Sequence, residues 1–110
     1  MRLTDMARVI RSKNAGPFLL TLDVLFKDSL HYERFRESGL MTKETAARLY
    51  GVPVEEIESV IFFDPAHALK ITLRRPVVSG GHGDTDIYGA QQHMPLMNWE
   101  FDLFPNKIFP

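Results

Sequence analysis

The sequence predicts an α+β fold, a two-layer sandwich in which helices cover one face of a mostly antiparallel sheet. Three observations carry that reading. Residues 16–26, GPFLLTLDVLF, alternate as a strand does; residues 68–75, ALKITLRR, alternate again; and two stretches between them are bracketed by capping residues and glycines. A chain of 110 residues, 45% hydrophobic and 25% charged, reads as one domain, 1–110, with one core and no large enclosed cavity. A deep active site is therefore expected to need a second chain.

Each element has its own justification. TDMARVIRSK (4–13) supplies a first strand, pairing with 18–26 across the turn NAG. In that second strand Leu20, Leu22, Val24 and Phe26 lie on one face, and Leu19, Thr21, Asp23 and Leu25 on the other. The second face is partly apolar, which places the strand centrally. Asp28 or Ser29 caps a helix that runs to about Ser38 and ends at Gly39. Thr42 caps another, with Ala46, Leu49 and Tyr50 inward and Gly51 at its end, and Pro53 opens a short third helix through Glu58. VIFF (60–63) is a short buried strand stopped by Asp64-Pro65. In the last strand Leu69, Ile71 and Leu73 point in while Lys70, Thr72 and Arg74 point out, and Pro76 ends it. Residues 79–110 read as a long loop and a tail, LFPNKIFP, that docks on a surface without extending the sheet.

Composition excludes several classes of function. The formal charge of -1 gives no general attraction to nucleic acid or to a membrane surface. There is no cysteine, so disulfides, thiolate nucleophiles and Cys-ligated zinc are excluded. MRLTDMARVIRSK has no apolar run of the kind a signal peptide needs, and no stretch approaches a membrane span, so a cytoplasmic location is the default. Charge is unevenly distributed. Residues 1–16 hold Arg2, Arg8, Arg11 and Lys13 against Asp5, whereas Val52–Ala66 holds Glu55, Glu56, Glu58 and Asp64 without a base.

Chemistry-bearing residues gather in two places. RSKNAG (11–16) sets Arg11 and Lys13 before a turn of small residues. Its Asn14, Ala15 and Gly16 amides suit a carboxylate or a phosphate, unless the turn is a plain hairpin flanked by surface charges. SGGHGDTDIYGAQQHMPLM (79–97) is the second. His82, Asp84 and Asp86 share a face when extended and, with His93, form a potential donor set for a divalent metal, but three glycines deny it a rigid frame. The reading adopted is hydrogen bonding by Tyr88, Gln91, Gln92 and His93, with Tyr88, Met94 and Leu96 as anchors, and neither a metal nor a cofactor is required. His31 and His67 read as surface or helix-end residues, and no Ser-His-Asp order or nucleophile elbow is present.

IRSKNAGPFLLTLDVLF, YGVPVEEI, FFDPAHALKITLRRP and GDTDIYGAQQHMPL together resemble a family of small proteins associated with proteins similar to AtuA, the acyclic terpene utilisation protein A. RSKNAG is also similar to the RSGDKG signature in the C-terminal ferredoxin-like domain of AtuA-type proteins, with Arg11, Ser12 and Gly16 matching. The resemblance implies a ferredoxin-like sandwich and a role beside a larger AtuA-like subunit in catabolism of branched or unsaturated carboxylic acids or their CoA thioesters. It supplies no catalytic residues. In the leading reading Arg11, Ser12, Lys13, Asn14 and Gly16 hold a carboxylate or CoA-thioester ligand, and Tyr88, Gln91, Gln92 and His93 close over it. The alternatives are a small homo-oligomeric enzyme with His82 or His93 as acid–base, such as a hydratase/lyase or isomerase component, and an interaction domain without a ligand.

One motif is rejected. In TKETAARLYGVPVEEIESV, residues Ala47, Gly51 and Ile57 have helix-turn-helix spacing, but the recognition helix would be PVEEIES, with three carboxylates and no base. The chain is accordingly expected not to bind duplex DNA. A gel shift that appears at low salt and weakens at moderate salt would overturn this.

Overall fold

A computed structural model describes residues 1–15, 18–74 and 94–103 of the chain. Four strands, β1 (Ala7–Asn14), β2 (Leu19–Phe26), β3 (Ile57–Phe63) and β4 (Ala68–Arg74), form one sheet in the order β1-β2-β4-β3. Every neighbouring pair is antiparallel. Two hairpins, β1–β2 and β3–β4, are thus joined through their inner strands, and the two main helices, α1 (Ser29–Ser38) and α2 (Lys43–Tyr50), connect them. The α+β class and the antiparallel sheet are as the periodicity predicts. The described elements run β-β-α-α-β-β and not in the β-α-β-β-α-β alternation of a ferredoxin-like sandwich.

Alternation decides which face is buried. Leu20, Leu22 and Val24 stand opposite Leu73, Ile71 and Leu69, all of them buried. Tyr32 and Phe35 from α1, with Ala46 and Ala47 from α2, close the same core. Phe26 packs edge-on to Tyr32 with ring centroids 5.7 Å apart, and against Phe35 at 5.6 Å. The opposite face has no helix against it among the described residues.

Helix ends follow their capping chemistry. The Asp28 carboxylate accepts from the His31 amide, and the Thr42 hydroxyl accepts from the Thr45 amide. Gly39 (φ 69°) and Gly51 (φ 66°) end α1 and α2 in the left-handed region, where a Cβ is disfavoured.

Three expectations need correction. The short helix after Pro53 is only a 3-10 turn, Val54–Glu56, and β3 begins at Ile57, because Ile57 is drawn into the core opposite Leu73. Residues 3–5 also wind into a 3-10 turn, which buries Leu3, with Met6 beside it, before β1 starts at Ala7. Finally, part of the expected loop and tail is regular. Met94–Asn98 forms a short helix, α3, with Leu96 fully buried while Met94 stays exposed. Trp99 and Phe101 reach Phe35 at 6.1 and 5.5 Å between ring centroids. The Phe101 amide donates to the Met1 carbonyl at 2.8 Å, and Arg2 pairs with Glu100 at 2.8 Å. No helix among the described residues is long and apolar enough to cross a membrane.

Two substitutions test this packing. Phe35→Ala is expected to destabilise by about 3–5 kcal/mol, since Phe35 is fully buried and touches four other rings. Gly51→Ala meets no atom within 4 Å of the added Cβ, so only backbone strain of about 1–2 kcal/mol is expected in denaturant melts. Equal losses from the two would show that the core is not organised around Phe35.

Candidate functional site

The sheet face away from the two main helices is built by the residues that alternate away from the core, and on it Thr21, in the central strand β2, is itself buried. Register sets them in rows. Across the four strands one row reads Val9, Leu25, Ala68, Phe63; the next reads Arg11, Asp23, Lys70, Ile61; the third reads Lys13, Thr21, Thr72, Ser59. One end of the face is therefore apolar and the adjoining part cationic. Neighbouring Cα atoms across an antiparallel ladder stand roughly 5 Å apart, so Arg11 and Lys70 flank Asp23 at about 10 Å from one another.

Arg11 approaches the Asp23 carboxylate at 3.5 Å, with its own side chain 63% exposed. Such a pair contributes little stability, but it orients the guanidinium across the sheet. Among the described residues Lys13 and Lys70 make no ion pair, and Asp23 alone opposes the three cations of these rows. Arg74, at the far end of β4, is already engaged. It donates to the Glu55 carbonyl at 2.8 Å and pairs with Glu56 and Glu58 at 3.5 and 3.9 Å. The acidic stretch of the sequence is thus partly neutralised within the chain.

The sequence-predicted ligand residues are divided by this geometry. Arg11 and Lys13 share the open face, whereas Ser12 and Asn14 alternate to the core side, opposite Leu22 and Leu20. The Ala15 amide donates to the Leu19 carbonyl at 3.0 Å, so it closes the hairpin and does not face a ligand. Gly16, His82, Tyr88, Gln91, Gln92 and His93 lie outside the described residues, as do Asp84 and Asp86. Sequence reasoning missed Lys70 as a companion of Arg11. The signal was present in its outward position in ALKITLRR, but the strand order needed to set β4 beside β2 was not.

A second polar cluster sits where α1 meets the β3–β4 hairpin. The Tyr32 hydroxyl donates to Asp64 Oδ1 at 2.5 Å, and Arg36 reaches the same oxygen at 2.8 Å while lying over the Tyr32 ring. His67, at φ 50°, closes the hairpin and packs its ring 5.6 Å from that of Tyr32. Burial, reinforced by the Asp64 carboxylate, pushes the Tyr32 phenol up to about 12. That hydrogen bond in turn holds Asp64 below its ordinary value, with Arg36 adding to the effect. The geometry is that of a pin between a helix and a hairpin. His31, whose Nδ1 lies 2.7 Å from Asp28, belongs to the α1 cap.

Beyond Gly51 the chain makes a single 3-10 turn and then an edge strand, so the helix-turn-helix spacing serves a helix-to-sheet connection. No group of three metal-binding side chains occurs among the described residues. What the open face can do is attract and orient an anion.

A family model described as Domain of unknown function (DUF4387) matches residues 3–100. No curated protein and no solved structure matches the chain.

The pin makes a pH-dependent prediction. Tyr32→Phe keeps the ring and removes the donor, so the Asp64 carboxyl should titrate at higher pH in an NMR series. The folded phenol keeps its proton up to about 12, whereas an unfolded tyrosine loses it near 10. The folded chain therefore holds more protons in that interval and stability falls as pH rises through it. Tyr32→Phe removes this part of the alkaline loss. An unchanged Asp64 titration would mean that the phenol is not its partner in solution.

Proposed function

We propose, for a chain that belongs to the family described as domain of unknown function (DUF4387), that it is a small accessory subunit whose open sheet face helps to hold an anionic substrate against a larger protein. The observation that carries this reading is the convergence of Arg11, Lys13 and Lys70 on the sheet face away from the main helices, around a single carboxylate, Asp23, among the described residues. Guanidinium and ammonium groups so placed suit a carboxylate or a phosphate, with Arg11 offering a forked donor and the lysines point charges. The neighbouring Val9, Leu25 and Ala68 add an apolar band on which the hydrocarbon part of a ligand or partner can rest.

The resemblance to AtuA-associated small proteins supplies the identity of the partner and substrate in this proposal. The partner is an AtuA-like larger subunit, and the ligand a branched or unsaturated carboxylic acid or its CoA thioester. A surface of three cations without a paired nucleophile and base suits binding and orientation, with bond-making assigned to the partner. On this reading the chain stands in for a domain that is fused in larger AtuA-type proteins.

Co-expression with an AtuA-like protein is expected to give a complex that survives tag purification. In that complex Arg11→Ala should weaken a carboxylate or CoA-thioester ligand about ten- to a hundredfold, the usual loss for one charge-assisted hydrogen bond. Lys70→Ala should act in the same direction, read by calorimetric titration. Chains that migrate separately at micromolar concentration would overturn the subunit reading. Ligand binding indifferent to both substitutions would overturn the site.

A further inference from the structure

We propose that β3 is a self-association seam, in which Ser59–Phe63 of one copy pairs antiparallel with the same segment of a second copy and the two four-stranded sheets become one of eight. Among the described residues β1 and β3 each have a single strand neighbour, so the outer row of backbone donors and acceptors on each is met by no described strand. The two edges differ in chemistry. β1 carries Arg8, Arg11 and Lys13 with Ser12 and Asn14, and a register irregularity between Ala7 and Val9. Charge and bulges are the devices by which edge strands avoid further pairing. β3 lacks them over its outer length. Ser59–Phe63 reads SVIFF, without charge or proline, and the irregularity in its pairing is confined to the start, between Ile57 and Ser59.

Burial points the same way on both faces of the strand. On the open face Ile61 is 50% and Phe63 54% exposed, large losses for residues of their size. On the helix side Val60 and Phe62 pack against the core yet remain only partly buried. The apolar layer therefore runs out at β3 without the polar rim that Ser12, Asn14 and the basic side chains give it at β1. A strand added along β3 completes both layers at once.

The occupant is a second copy because the seam is self-complementary. Uncharged residues meet on both faces, whereas β1 paired with β1 would set Arg8, Arg11 and Lys13 against their own kind. The charges flanking the segment are already answered within the chain, Glu58 by Arg74 at 3.9 Å and Asp64 by Arg36 at 2.8 Å. A β1-to-β3 union would be heterologous and would give a filament or a ring, while β3-to-β3 closes as a dimer with two-fold symmetry. The seam lies at the edge away from Arg11 and Lys13 but beside Lys70, which stands opposite Ile61, so it is tested on the chain without ligand and its failure leaves the ligand reading untouched.

Sedimentation velocity of the full chain over a concentration series is expected to show a monomer–dimer equilibrium. Ile61→Lys should raise the dimer dissociation constant by about a hundredfold, because two apolar side chains per dimer lose their burial. Circular dichroism confirms that the variant is folded; if it is not, Phe63→Lys provides the same test. Arg8→Ala, on the opposite edge, leaves the dimer unchanged. Hydrogen exchange should slow at Ser59–Phe63 as concentration rises, and not along β1. A chain that is monomeric throughout, a dimer that survives both lysine substitutions, or one that dissociates with Arg8→Ala would overturn the proposal.

Discussion

The β2–β4 pairing is the constraint on which everything else hangs. It runs from Leu19 opposite Arg74 to Leu25 opposite Ala68, with no interruption in register. Because these strands belong to different hairpins, this ladder is where distant parts of the chain meet. A slip by one residue would turn Leu20, Leu22 and Val24 away from Leu73, Ile71 and Leu69 and expose the whole apolar row. The same register decides the other face. It sets Lys70 across from Asp23, and Asp23 across from Arg11, so the core pattern and the cationic row are two readings of one alignment.

This coupling explains why the helices collect on one side. Tyr32 and Phe35 recur one turn apart on α1, which aims both at the sheet where Phe26 and Phe62 stand. Once Tyr32 is inside, its hydroxyl needs an acceptor, and Asp64 at the β3–β4 hairpin provides it. The helix is thereby tied to the outer hairpin as well as to the central strands. In the same manner the Tyr50 hydroxyl, bonded to the Leu96 backbone and with its phenol raised by burial, links α2 to α3.

Much of this frame was legible in the residues. Alternation in FLLTLDVLF and ALKITLRR identified two strands and their faces; Gly39, Thr42 and Gly51 marked helix ends, and of the two caps offered for α1, Asp28 and Ser29, the structure uses Asp28. These are local signals, carried by period and capping chemistry. The start of β3 was not legible, because Val-Glu-Glu-Ile-Glu-Ser has polar residues at helical spacing and only the contact with Leu73 makes Ile57 a strand residue. Leu96 was legible as an anchor and is buried, although Met94, named beside it, stays exposed; Trp99 and Phe101 were hidden, since their partners Phe35 and Met1 lie far away in sequence. The candidate site was half legible. Arg11 and Lys13 stood out by charge, but alternation placed Ser12 and Asn14 on the other side, and Lys70 joined them only through strand order.

The clasp between residues 1–2 and 100–101 has a bearing on how the protein is made. Translation delivers the first hairpin early, at about 5–20 residues per second for the chain as a whole. Leu3 and Met6 then wait for their cover, because Leu96, the Trp99 and Phe101 rings and the Met1–Phe101 backbone bond come from the last part of the described chain. The part of the core around Leu3 and Met6 is thus closed last, by residues 96–101, after the strands and helices between them have been made.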